Sequence, residues 1–561
     1  MNKKTMYPYM PLLLAAVLLS ACKGNGQQTD TMAANPAVLK EKITAQIGLQ
    51  LEKAVADSGR TGDSLVRLFR PEIASAFYKE KSNATFWSNG QSWHPFADSL
   101  FRMVKEARLW GLYPEDYHAR ALALVYDTIR ADTAAKEARM DARWWSVAEL
   151  LLTDAFVRVV KDIKLGRLPQ DSISLRKDSV LPDAFYLEKL AEMEKRGLAA
   201  ILQSLEPGAK GYHLLKAAIP DFLNRADYKM YTKIPYPEKD SRRFNQFLQK
   251  RLAEEGLITD SIAVDSLQLA NAVKTYQKKR GITVDGKAGE GTVRMLNTDD
   301  NERFARIAIS LDKYKQLPAK MPVRYIWVNT SANYLEVVDG NEVKMSSKVI
   351  CGKPKTRTPL LTSAISSIIT YPQWVPPQSI IEKEILPAVK RNPGYLARKG
   401  FSLVDKEGNE VDPYSVDWSK YSRSMPYRVV QGSGDANALG IMKFMFDNKY
   451  AVYLHDTNQR YLFANAMRSL SHGCVRVQEW DKLAWYILGT DSSLQAGKSV
   501  VKTDSVRYWL RNKQKRTIPV RNKMPVFIRY FTCEGQKGRV IFHDDVYGED
   551  KFLRQRYFAG K

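Results

Sequence analysis

Ser471-His472-Gly473-Cys474-Val475-Arg476, preceded by Tyr450-Ala451-Val452-Tyr453-Leu454-His455, is the stretch on which the reading of this chain turns. The earlier run reads as a strand that delivers His455 at its end, followed by a turn through Asp456 and Asn458. The later run sets a thiol beside a glycine and an imidazole. A strand-end histidine and a loop cysteine meet in space when neighbouring strands bring them together. These are the parts needed for covalent acyl transfer. A thiolate attacks a carbonyl, an imidazole takes and returns the proton, and backbone N–H groups hold the oxyanion. Cys474 works only as thiolate, so its pKa must fall or a base must stand close by. Gly473 permits a sharp turn, Val475 faces the core, and Arg476 is a cation that braces the loop or binds a carboxylate. Four cysteines in 561 residues make one inside a Ser-His-Gly-Cys run unlike background.

Around this stretch the pattern is β. Val323–Val328 and Tyr334–Val338 are rich in β-branched and aromatic residues, and Asp339-Gly340 is a hairpin signal. Further strands are expected at Ser363–Tyr371, Ile441–Phe446, Pro525–Phe531 and Arg539–His543. They define a catalytic domain over 301–535, with 536–561 as an extension packing on it or on the helical region upstream. Residues 376–427 read differently: a helix at Ile380–Arg391, then Asn392-Pro393-Gly394 and a polar segment with Asp412-Pro413. This is an insertion in the β domain. Such insertions serve as lids or as peripheral subdomains; the lid is the reading adopted, and it should be the most mobile part of the domain.

Upstream, residues 45–235 are helical in pattern. Trp145, Ala148, Leu152, Phe156, Val159 and Ile163 recur every three or four residues and stop near Gly166. His94, His118 and His213 lack partners at metal-ligand spacing and read as structural. Residues 236–300 form a separate unit, with a helix through Val273, Tyr276 and Gln277, a turn at Val284-Asp285-Gly286, Gly289, and a short helix with Thr292 and Leu296. This resembles the small three-helix peptidoglycan-binding module, used either to bind glycan or as scaffold.

Residues 1–21 carry Lys3, Lys4 and a short apolar run from Met10 to Leu19, too short to span a bilayer. Leu19-Ser20-Ala21-Cys22 resembles a bacterial lipobox, in which the new N-terminal cysteine is lipidated; the alternative is an ordinary signal peptide that happens to contain a cysteine. Residues 22–44 then read as a tether. The formal charge of +25 suits polyanions, and export excludes nucleic acid in favour of membrane lipid and cell wall. Cys351 and Cys533 either pair or lie buried, and no Cys-x-x-Cys supports a structural zinc.

His455, fifteen intervening residues and Ser471-His472-Gly473-Cys474-Val475-Arg476 closely resemble the signature of the L,D-transpeptidase (YkuD) family. Asn437-Ala438-Leu439-Gly440, Lys443-Phe444, Tyr453-Leu454-His455-Asp456-Thr457, Trp374-Val375-Pro376, Pro393-Gly394-Tyr395 and Leu152-Thr153-Asp154-Ala155 resemble its large, multidomain, lidded Gram-negative branch. The resemblance spans most of residues 50–550. It implies a multidomain α+β chain: a helical scaffold, the three-helix module, and a β-rich catalytic domain with an inserted lid. It implies Cys474 as nucleophile and His455 as general base and acid. The oxyanion hole falls to backbone N–H groups around His472, Gly473 and Cys474, with Ser471 and Arg476 holding the loop and His472 as a packing and orienting residue. The Asp456 carbonyl orients the imidazole, and Tyr453 and Trp374 line the cleft. The substrate implied is a peptidoglycan stem peptide, cleaved before the fourth-position D-alanine and joined 3→3 to a neighbouring stem. No cofactor or metal is implied. The expected protein is monomeric, with envelope proteins as further partners, and lipid-anchored in the envelope with its catalytic domain in the periplasm.

The same thiol chemistry with another acceptor gives a carboxypeptidase, a D-amino-acid exchange enzyme or a protein-anchoring enzyme. A papain-like protease would need an aromatic residue after the cysteine and a distant downstream histidine. Here Val475 follows, and the only later histidine is His543. A non-enzymatic wall-binding lipoprotein is the remaining alternative.

Overall fold

The computed structural model describes residues 31–134, 140–170, 174–175, 180–259, 264–280, 284–494 and 501–558. The segment read as a signal peptide, Cys22 and the start of the stretch expected as a tether lie outside them. The described chain forms two compact units, one within Met1–Phe101 and His118–Ala155, the other within Arg102–Tyr117 and Phe156–Lys561.

In the first unit the tether gives way to helix sooner than expected. Pro36–Ala56 is helical, with Asn35 as N-cap accepting from the Val38 N–H at 3.0 Å. Asn-Pro supplies the cap and the preset first-turn φ, a start signal hidden in a run of small residues. Leu39, Ile43, Ile47 and Leu51 then bury one face. The fully buried Glu149 accepts from the Phe86 N–H at 2.8 Å, the Trp87 N–H at 3.0 Å, Ser88 Oγ at 2.9 Å and Tyr78 OH at 2.8 Å. His118 is structural, its Nε2 2.7 Å from Asp154 Oδ2.

The second unit contains the three-helix module. Ser241–Glu254, Ser266–Arg280 and Glu290–Asn297 pack through Leu248, Leu252, Val273, Tyr276, Val293 and Leu296. Buried Gln277 accepts from the Asp285 and Gly286 N–H groups at 3.0 and 2.9 Å and donates to Asp285 Oδ1 at 2.8 Å, pinning the turn between helices. Gly286 sits there at φ +73°.

Downstream the strands are β1 (Arg324–Asn329), β2 (Tyr334–Asp339), β3 (Glu342–Gly352), β4 (Leu361–Thr370), β5 (Phe401–Val404), β6 (Glu410–Val411), β7 (Arg428–Gln431), β8 (Met442–Phe446), β9 (Leu454–His455), β10 (Ser469–Ser471), β11 (Val475–Val477), β12 (Arg516–Arg529), β13 (Cys533–Gln536) and β14 (Arg539–Phe542). Nine of them form one sheet in the order β10-β3-β11-β9-β8-β4-β12-β1-β2, and β3 also pairs with β2. The sheet therefore closes on itself through β3 and β2, while β10 lies at its end, paired with β3. Inward residues such as Val328, Leu335, Val349, Ile365, Phe444, Leu454, Val475 and Val526 fill the core, with Leu483, Ile487 and Leu488 from the helix Trp480–Leu494 packed against them.

Three strand readings are corrected. The strand expected over Tyr450–His455 is only Leu454–His455, because Asn448 holds a tight turn through the Tyr450 and Val452 N–H groups at 3.1 and 3.0 Å. The strand at Pro525–Phe531 begins at Arg516. It absorbs Pro519 and Pro525 around a register shift, where Asp491 takes the Arg521 and Asn522 N–H groups. β3, β10 and β11 carry too many polar or small residues to have been expected. Cys351 and Cys533 do not pair: both are buried free thiols, pushed up to about 12 by burial.

The insertion has its own core of Ile385, Leu386, Val389, Leu396, Leu403, Trp418 and Val429, under a small sheet ordered β6-β5-β7. Its helix is α at Gln378–Ile380, π at Ile381–Ile385 and α again at Leu386–Arg391. Pro387 has no N–H for the preceding turn, which widens. Trp374 and Gln431 exchange backbone hydrogen bonds at 3.0 and 2.8 Å at its neck. Gly535 meets the helix Lys210–Arg225 so closely that a Cβ would lie 2.0 Å from Leu214 O, while Tyr547 OH donates to Gly352 O in the barrel at 2.8 Å.

Candidate active site

β9 and β11 are parallel neighbours, with Val475 opposite Leu454 and Arg476 opposite His455. Leu454 and Val475 are fully buried in the core. Strand alternation then turns Tyr453, His455, Cys474 and Arg476 to the other face. β8 adds Lys443, opposite His455, with its ammonium 3.8 Å from the Tyr453 ring centroid. The thiol and the imidazole thus share one face of the barrel wall, nineteen residues apart in sequence.

His455 is buried, and its Nδ1 donates to the Asp456 carbonyl at 2.5 Å, since a carbonyl can only accept. Nε2 therefore keeps its lone pair. Burial, reinforced by the Arg476 and Lys443 charges, pushes its pKa down to about 3, so the resting imidazole is neutral. The Asp456 carboxylate anchors the turn: it accepts from the Ile441 N–H at 3.1 Å and from Arg460 at 3.2 and 2.8 Å. Gly440, at φ +59°, leaves it room; a Cβ there would fall 2.2 Å from Asp456 Oδ2.

Cys474 is half-buried, and burial pushes its thiol above the ordinary value despite opposing influences from Tyr453, Lys443 and Arg476. Its loop is held from below. Ser471 Oγ donates to Cys474 O at 2.7 Å and accepts from the Gly473 N–H at 3.1 Å. Thr356 and Thr358 hydroxyls reach Ser471 O and Gly473 O at 3.0 and 2.8 Å. Gly473 has φ +129°, open in practice to glycine alone. Arg476 Nη1 donates to Gln459 Oε1 at 2.8 Å, which ties it to the loop after His455. The Cys474 thiol donates to Ala451 O at 3.9 Å, and burial together with the neighbouring Cys474 pushes the Tyr453 hydroxyl above its ordinary value. His472 departs from its expected packing role. It is exposed and its Nε2 pairs with Glu384 in the π turn of the insertion. Among the described residues, no cluster of three or more His, Cys, Asp or Glu is placed to hold a metal ion.

Residues 323–492, which contain this constellation, match the profile of the "L,D-transpeptidase catalytic domain". The matched residues hold β1 to β11, so this part of the barrel is similar to the YkuD family's catalytic domain. Residues 72–219 match a "Scaffold domain" and residues 246–296 a "Putative peptidoglycan binding domain". A Haemophilus influenzae protein named "Putative L,D-transpeptidase" is 36% identical over 226 residues, covering 40% of this chain and 44% of that protein. The chain therefore matches less than half the length of that curated relative. The solved structure of the Ldtfm-avibactam carbamoyl enzyme is 10% identical over 48% of this chain and 83% of that one, with a TM-score of 0.15, too low to carry an argument.

Sequence reasoning gave no role to six residues of this site. Lys443 and Gly440 stood in quoted motifs without an assigned job. Arg460, four residues after Asp456, carried a legible i,i+4 charge pattern. The Thr356 and Thr358 supports, and Glu384 against His472, carried no sequence signal, since more than eighty residues separate them from the nucleophile loop.

Proposed function

We propose that this protein is a lipid-anchored, exported L,D-transpeptidase that acylates Cys474 with a peptidoglycan tetrapeptide stem and forms 3→3 cross-links. The observation that carries this reading is the shared face of Cys474 and His455 in a YkuD-like barrel, with His455 Nδ1 engaged and Nε2 left as base.

In the first half-reaction His455 Nε2 takes the thiol proton as Sγ attacks the carbonyl of the third stem residue. Because the Gly473 N–H is engaged by Ser471 Oγ, the His472 and Cys474 N–H groups are the oxyanion donors in this reading. The C–N bond then breaks, and the imidazolium protonates the departing D-alanine amine. In the second half, an amine of a neighbouring stem attacks the thioester and gives its proton to His455, and the thiol reforms. The thioester conserves the energy of the peptide bond, so no cofactor is required. Tyr453 and Trp374 form the cleft wall, Ser471 and Arg476 hold the loop, and Cys22 carries the lipid, with residues after it as tether.

Intact-protein mass spectrometry with a disaccharide–tetrapeptide tests this. Wild type should show an adduct at Cys474, free D-alanine and a 3→3 dimer, all absent from Cys474→Ala. Tripeptide without dimer would make water the acceptor. No adduct would favour the wall-binding lipoprotein. For the anchor, Cys22→Ala should move the protein from the membrane to the soluble fraction.

A further inference from the structure

Lys443, His455 and Arg476 are mutual register partners across β8, β9 and β11. Their side chains therefore form one row on the cleft face, with strands about 4.8 Å apart and the imidazole in the middle. The two cations flanking it differ. Arg476 is engaged by Gln459. Lys443 is half-buried against the Tyr453 ring, and among the described residues it forms no ion pair. A partly desolvated ammonium in a cleft is costly unless an anion arrives to meet it. Burial does hold its pKa below that of an ordinary lysine.

The proposed reaction fixes where an anion comes. To be protonated, the scissile nitrogen must lie within hydrogen-bond reach of His455 Nε2. In a stem that ends at the leaving residue, the terminal carboxylate carbon is two bonds from that nitrogen. It falls beside the imidazole, where the row offers Lys443. One more residue would carry the carboxylate about 3.5 Å further along the chain.

Resting on the L,D-transpeptidase reading, we infer that Lys443 is the receptor for the terminal carboxylate of the leaving D-residue. It selects donor stems that end one residue after the scissile bond. Lys443 is thus a specificity-determining residue as well as a cation beside the thiol.

The test is calorimetric binding in the Cys474→Ala background, with disaccharide–tetrapeptide as free acid and as C-terminal carboxamide. The free acid should bind about 10- to 100-fold more tightly than the amide, as expected for a charge-assisted contact. Lys443→Met should erase most of that difference by weakening the acid alone, and Lys443→Arg should restore it. Equal affinities for acid and amide, or equal losses for both in Lys443→Met, would overturn the assignment. Because binding needs no turnover, the two readings separate. Acylation without acid–amide discrimination sinks only the receptor, and discrimination without any Cys474 adduct sinks only the transpeptidase.

Discussion

His455 and Asp456 are adjacent in the chain and bonded to each other: the imidazole Nδ1–H donates to the Asp456 carbonyl at 2.5 Å. The tautomer of the base is therefore set by backbone, and the backbone is held by the Asp456 carboxylate through Ile441 N–H and Arg460. Asp456→Ala keeps the carbonyl but frees the turn. It should lower the acylation rate about 10- to 100-fold, the usual cost of an ångström of misplacement. Urea unfolding should show a loss of about 1–3 kcal/mol from the orphaned buried N–H and the lost charge-assisted bonds. A stability loss with unchanged acylation would mean the imidazole needs no such bracing.

The resting pair is neutral, with the thiol raised by burial and the imidazole lowered to about 3. Thiolate content grows with pH until the thiol pKa is passed. Alkylation of Cys474 by iodoacetamide should therefore accelerate about tenfold per pH unit from pH 6 to 8.5. A thiolate–imidazolium pair would instead give a plateau across that range.

The same buried imidazole acts on stability. Its folded pKa of about 3 lies below the unfolded value of about 6.5, so the unfolded chain binds the extra proton between them. Stability should fall as pH drops through this window. Urea midpoints at pH 7 and pH 4 should differ less in His455→Gln than in wild type; an equal difference would refute the assignment.

Gly473→Ala meets no atom closer than 3.9 Å, but its φ of +129° is strained for alanine. About 1–3 kcal/mol should be lost from the loop, read as a fall in acylation rate and a fall in Tm of a few degrees. Gly440→Ala adds a direct collision with Asp456 at 2.2 Å. It should lower both rate and Tm; an unchanged Tm would contradict the collision.

His472 joins the nucleophile loop to Glu384 of the inserted segment. Both groups are largely exposed, so the pair adds little to global stability. Its effect should be local: Glu384→Gln should speed hydrogen exchange within residues 376–427 and hasten alkylation of Cys474 by a bulky maleimide. Unaltered exchange there would show that the insertion is held by other contacts.

Legibility in the sequence followed the range of the interaction. Helix Ala142–Lys164 was legible from Trp145 to Ile163 because its period is local. The edges of β9 and β12 were misjudged because Asn448 and Asp491 decide them through side-chain bonds to nearby or distant backbone. β3 has few apolar residues at its start; the Asp339-Gly340 turn announced its hairpin with β2, but its pairing with β10 and β11 had no local signal. Free Cys351 and Cys533 were undecidable in sequence, since pairing depends on where two distant strands end.

The sequence by itself determined the chemistry available: a thiol behind a glycine, a histidine at a strand end, and the family those residues resemble. Each is a matter of residue type and short spacing. Only the tertiary structure decided the arrangement. The parallel register of β9 and β11 puts imidazole and thiol on one face, and β8 lays Lys443 beside them. Strand pairing between distant segments is a cooperative choice made by the whole closed sheet, because each strand's register must satisfy both of its neighbours at once.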